Sequence, residues 1–189
     1  TRLLPRVIEA AKILKARVPN VQIVLAVSPA VADSVRAGTQ SVPALKLIEG
    51  RSLDVLRYAD AALLKSGTSN LQAAFLGTPF SMFFVVPWLT QVIVQTFVHI
   101  TQYSIVNVIR PGSIRELIQE QATAEMLARE AEDLLLDTSK REKLIANMSE
   151  VRSRLKSFDP LPLFSGCASE SERTARLILE TATQEPGKL

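Results

Sequence analysis

The stretch AALLKSGTSNLQAAFLGTP, residues 61–79, decides the fold. Ala61–Leu64 is a short apolar run of strand length, Ser66-Gly67-Thr68 turns the chain, and Ser69–Leu76 reads as a helix. Gly77-Thr78-Pro79 stops that helix before a second apolar run, Phe80–Val86. A strand, a tight turn, a helix and another strand in quick succession make a βα unit, in which the strands run parallel.

The same alternation extends toward the amino end. Residues 3–19, LLPRVIEAAKILKARVP, place Leu4, Val7, Ile8, Ala11 and Leu14 on one helical stripe, with Lys12, Lys15 and Arg17 off it. Val21–Val27 follows as a nearly continuous apolar strand, the pattern of burial on both faces. A short helix over Ala30–Arg36, a strand at Leu45–Ile48 and a helix at Arg51–Tyr58 lead into the central stretch. Tyr103–Val108 reads as a fifth strand. Beyond it the pattern turns helical, with segments at Ile114–Gln119, Ala124–Leu136, Ser139–Lys156 and Glu170–Thr183, and a Pro/Gly-containing loop at Phe158–Ala168. The expected class is α/β: a doubly wound parallel sheet with flanking helices and a helical C-terminal tail.

Composition narrows the chemistry. With 189 residues, 47% hydrophobic and 22% charged, the chain has the make-up of a globular domain with a full core. One cysteine (Cys167) excludes an internal disulfide and any multi-cysteine zinc site, and one histidine (His99) argues against histidine-clustered metal centres. A net charge of +3, with no basic patch interleaved with aromatics, points away from nucleic acid. From Ser66 to Ile109 there is no Asp, Glu, Lys or Arg. Within that stretch Trp88–His99 reads as a helix without a charged face, suited to an interfacial or acyl-facing position or to a protein contact.

Three groups of residues could carry function. Ser66-Gly67-Thr68 lies between a strand and a helix, where small residues admit a ligand and the helix's free amides favour an anion; an ordinary helix cap is the other reading. Glu116 and Gln119 stand three apart on the expected helix, an acceptor and a donor for sugar hydroxyls, or simply a solvated helix start. Asn107, a polar amide in the apolar run SIVNVI, needs a partner that a turn or a ligand would supply.

Taken in order, TRLLPRVIEAAKILK, ADAALLKSGTSNLQAAFLGTP, Tyr103–Asn107 and RELIQ resemble the C-terminal half of the lipid-A-disaccharide synthases, glycosyltransferases built from two Rossmann-like domains (the GT-B architecture). The resemblance implies that residues 1–157 form a nucleotide-sugar-binding Rossmann-like domain. Residues 158–189 would be a linker and helix packing on an N-terminal domain or a partner. It further implies a UDP-2,3-diacylglucosamine donor, a diacylglucosamine 1-phosphate lipid acceptor, and no cofactor or metal. By position, Ser66, Gly67, Thr68, Asn107, Glu116 and Gln119 would line the donor site. Gln72 stands where the family usually has Glu, and Val106 where it usually has Pro.

The family's Gly-Ser-Arg turn and the domain carrying the catalytic base would lie before Thr1, so the chain by itself is expected to be inactive. The expected location is cytoplasmic, peripheral on the inner membrane, with a second copy of the chain as an optional partner. Two alternatives remain open from the residues: another GT-B UDP-sugar transferase or an epimerase, and a degenerate module that docks on a membrane or partner without catalysis.

Overall fold

The computed structural model describes residues 3–40, 42, 44–86 and 102–156. The chain divides into two compact units, Thr1–Ser153 and Arg154–Leu189, and the first carries the sheets. The expected helices at Trp88–His99 and Glu170–Thr183, the Phe158–Ala168 loop, His99 and Cys167 lie outside the described residues.

Helix α1 (Leu4–Arg17) carries Pro5 in its first turn, where the missing amide hydrogen is not needed. Strand β1 (Ile23–Val27) pairs in parallel with β2 (Leu45–Glu49), in a register that sets Ile23 against Leu45 and Val27 against Glu49. Between them lie a 3-10 turn at Pro29–Val31 and helix α2 (Ala32–Thr39). Helix α3 (Ser52–Tyr58) leads to β3 (Ala62–Lys65), α4 (Ser69–Leu76) and β4 (Phe80–Phe84). Gly77 ends α4 at φ +77°, a left-handed conformation that costs glycine nothing, and the amide of Thr78 closes the cap on the carbonyl of Ala73.

Two expectations fail between residues 103 and 121, and they fail together. Tyr103–Val108 is not a strand: Ile105–Ile109 is a short helix, α5. Its apolar, β-branched composition is overridden by caps, because the Ser104 hydroxyl accepts from the amide of Val106 and the Glu116 carboxylate accepts from the amides of Tyr103 and Ser104. Ile114–Gln119 is not a helix: Glu116–Ile118 forms β5, followed by a 3-10 turn at Gln119–Gln121. The third strand of the sheet is therefore completed by a segment whose Leu117 is fully buried. It joins β4 with Met82 opposite Glu116 and Phe84 opposite Ile118, giving a parallel sheet in the order β3-β4-β5. The long helices α6 (Ala124–Leu136) and α7 (Thr138–Lys156) complete the helical run.

Alternation along β4 separates the two faces of this sheet. Phe83 joins Ala10 and Leu14 of α1 and Leu127 and Ala128 of α6 in one core cluster. Ser81, on the same face, bonds Glu130 of α6. On the other face Phe84 meets the ring of Tyr103, 5.6 Å between centroids. Arg17 ties α1 to α6 through Glu125 and Glu132, and its hydrogen bond with Glu125 raises the guanidinium pKa further above its ordinary value. Strand β1 departs from the expectation of two buried faces. Ile23 and Leu25 pack toward Ala11, Val42 and Leu45, whereas Val24 keeps 37% of its surface exposed.

At the opening edge of β4 and β5 sits an ionic cluster around a buried carboxylate. Glu130 is fully buried and accepts from Ser81 Oγ at 2.6 Å and from Arg115 at 2.8 Å, with Lys140 Nζ at 3.0 Å. Three donors converge on one carboxylate, the condition under which a buried charge is tolerated.

Candidate functional site

Beyond the carboxyl end of β3 the chain continues the ladder for one residue, the amide of Ser66 donating to the carbonyl of Phe83. It then turns sharply. Gly67 adopts φ +155°, and a Cβ built there would meet nothing within 4 Å. Gly67 and Thr68 are exposed. The amide of Asn70 bonds back to the carbonyl of Gly67, and those of Leu71 and Gln72 to the carbonyl of Thr68. The amides of Gly67, Thr68 and Ser69 have no partner among the described residues. Unpaired amides at the start of a helix, in line with its positive dipole end, bind anions. With no charged side chain between Ser66 and Ile109, the attraction from this segment is backbone electrostatics.

A second set of residues meets this turn. Ser66 Oγ donates to the carbonyl of Tyr103 at 3.4 Å, and Asn70 Nδ2 to Ser104 Oγ at 3.3 Å. Glu116, half-buried at the head of β5, accepts from the amides of Tyr103 and Ser104, both at 2.9 Å, and from Asn107 Nδ2 at 2.7 Å. Asn107 is buried and pairs with both backbone groups of Ile114 at 3.0 Å. Three of the carboxylate's roughly four acceptor directions are thus used internally, leaving one.

Gln119 follows β5 with a backbone φ of +52°, uncommon for a side chain of its size. Its Oε1 accepts from the amide of Val86 at 3.1 Å, and Arg6 reaches from α1 to the carbonyls of Gln119 and Ala122. These contacts hold the strained residue in place. Gln72, one turn into α4, is half-buried, with no side-chain hydrogen bond among the described residues.

Ser66, Asn107 and Glu116 therefore share one hydrogen-bond network, with Gly67 and Thr68 on its exposed rim and Gln119 on Val86 rather than on the network. The sequence reading missed Tyr103, Ser104, Asn70 and Arg6. Asn70 and Ser104 left signals, a polar side chain early in a helix with an apolar face and a serine in cap position before an apolar run.

Parallel sheets flanked by helices, with a small-residue turn outside a strand's carboxyl end whose amides are unpaired among the described residues, define a Rossmann-like α/β domain. Comparison with known proteins sharpens that class: the model of the lipid-A-disaccharide synthetase family matches residues 1–159, and this chain belongs to that family. It is 36% identical over 159 residues to the lipid-A-disaccharide synthase of Anaeromyxobacter dehalogenans, covering 82% of this chain and 41% of that protein. It is 32% identical over 182 residues to that of Geobacter metallireducens, covering 95% of this chain and 45% of the relative. The Myxococcus xanthus enzyme of the same name is 30% identical over 159 residues, covering 82% of this chain and 41% of that protein. The chain thus spans less than half the length of these curated relatives. No helix among the described residues is long and apolar enough to cross a membrane.

Proposed function

We propose that this chain is the C-terminal, donor-binding portion of a lipid-A-disaccharide synthase, a GT-B glycosyltransferase acting at the cytoplasmic face of the inner membrane. The observation that carries the reading is the turn at Gly67–Ser69, exposed at Gly67 and Thr68, with three amides unpaired among the described residues, in a chain of this family. Residues 1–157 form the nucleotide-sugar-binding domain, and residues 158–189 link to and pack on an N-terminal domain or a partner. The donor is UDP-2,3-diacylglucosamine and the acceptor a diacylglucosamine 1-phosphate lipid.

In the reaction the acceptor's 6-hydroxyl oxygen forms a bond to the donor's anomeric carbon while the bond from that carbon to the UDP oxygen breaks. The hydroxyl proton passes to a base outside this chain, and UDP leaves with an additional negative charge on its diphosphate. Amides of Gly67, Thr68 and Ser69, with the hydroxyl of Thr68, stabilise that developing charge without reorganising, while Ser66, whose hydroxyl donates to the carbonyl of Tyr103, holds the turn in place. Glu116 and Gln119 hold ribose or neighbouring hydroxyls with the acceptor and donor positions their internal bonds leave over, and Gln72 adds an uncharged amide near the turn. Asn107 keeps Glu116 in place. Fixing the donor at both ends supplies the orientation that displacement needs.

Calorimetric titration of the chain with UDP tests the reading. UDP binds, and Gly67→Val weakens it at least tenfold while circular dichroism shows the fold retained. Absence of binding, or affinity indifferent to Gly67→Val, sinks the proposal. Incubated with donor and acceptor, the chain by itself forms no disaccharide.

A further inference from the structure

Asn70 is fully buried as the second residue of α4. Its amide closes the turn onto the carbonyl of Gly67, and its side-chain Nδ2 donates to Ser104 Oγ at 3.3 Å, while Oδ1 has no partner among the described residues. Exchanging the two ends of the side chain does not help. Oδ1 would then accept from the Ser104 hydroxyl and Nδ2 would be unmet. One end of a sealed amide stays unpaired in either orientation, which is destabilising, whereas an apolar side chain of similar shape carries no such penalty. Stability does not explain this residue.

Its partner does. Ser104 is fully buried, donates its amide to Glu116 Oε1 and caps α5 through its hydroxyl. Tyr103 donates its amide to Glu116 Oε2 and receives Ser66 Oγ at its carbonyl. The Tyr103–Ser104 link is therefore gripped from one side by Ser66 and Asn70, which bracket the exposed turn, and from the other by Glu116. The geometry points to Asn70 as a positioning residue of the donor site. Through Ser104 it sets the distance between the amides of Gly67–Ser69 and the Glu116 carboxylate, so that a nucleoside diphosphate meets both at once. This inference rests on the donor-site reading and names the residue that joins its two halves.

A fixed spacing matters to a ligand that spans both halves and not to one that occupies a single half. Asn70→Ala weakens UDP binding at least tenfold and leaves inorganic pyrophosphate, which needs only the turn, within twofold. Ser104→Ala removes the same link from the other side and gives the same pattern, and the double variant loses no more than the larger single. Amide exchange at Tyr103 and Ser104 rises at least tenfold in Asn70→Ala while Leu117 and Met82 remain protected. Unchanged UDP affinity, equal weakening of UDP and pyrophosphate, or multiplicative losses in the double variant overturns the inference. If the unaltered chain binds neither ligand, the donor-site reading falls and the positioning role with it. Unaltered exchange at Tyr103 and Ser104 in Asn70→Ala refutes the link whatever the ligands do.

Discussion

Asn107 and Glu116 are joined at 2.7 Å, side chain to side chain, across the turn that connects α5 to β5. The same Asn107 amide pairs with both backbone groups of Ile114, so one residue anchors the turn and orients the carboxylate. Glu116 in turn satisfies two amides at the start of α5. Local structure and candidate recognition thus depend on a single pair.

Glu116→Ala consequently acts on stability as well as on ligand. Two backbone amides lose their acceptor, and the unfolding free energy falls by about 2–3 kcal/mol, read from urea denaturation. UDP affinity falls in the same variant. A carboxylate that served the ligand only would leave the denaturation midpoint where it was.

Glu130 behaves in the opposite way. It lies at the opening edge of β4 and β5, bonded to Ser81, Arg115 and Lys140. Glu130→Ala leaves the buried Ser81 hydroxyl without its acceptor and takes one partner from the exposed Arg115 and from Lys140, which keeps Asp133, and lowers stability by about 1–3 kcal/mol. At a temperature where the variant is still folded, its UDP affinity matches that of the unaltered chain. A thermal melt paired with a titration checks both halves of this expectation.

Gln119 separates backbone from side chain. Its φ of +52° costs a residue with a Cβ about 1 kcal/mol more than it costs glycine. Both Gln119→Gly and Gln119→Ala lose the bond to Val86, so Gln119→Gly is the more stable of the two by that amount in urea. Equal stabilities would show that the backbone there is unstrained.

Much of the fold was legible because turn chemistry and apolar spacing agreed. Ser69–Leu76 and Ala124–Leu136 begin and end where the sequence places them, and the other four strands shift by a residue or two. The failure at Ile105–Ile109 and Glu116–Ile118 has one cause. A glutamate that follows α5 in sequence caps it from β5, and no local pattern in IVNVI or ELI reports a bond formed across that distance. The network at Tyr103 and Ser104 was largely illegible for the same reason, since apart from the Ser104 hydroxyl these two residues enter it through backbone groups that carry no sequence signature. The Ser66-Gly67-Thr68 turn could be found because small residues between a strand and a helix are a local signal.

The ionic cluster around Glu130 and the exposed turn at Gly67 occupy opposite ends of the same sheet. Replacing the exposed Gly67 or Thr68 then leaves the buried Glu130 carboxylate and its partners untouched, since the two lie far apart along the strands. Such an arrangement lets the rim change its chemistry on an unchanged frame.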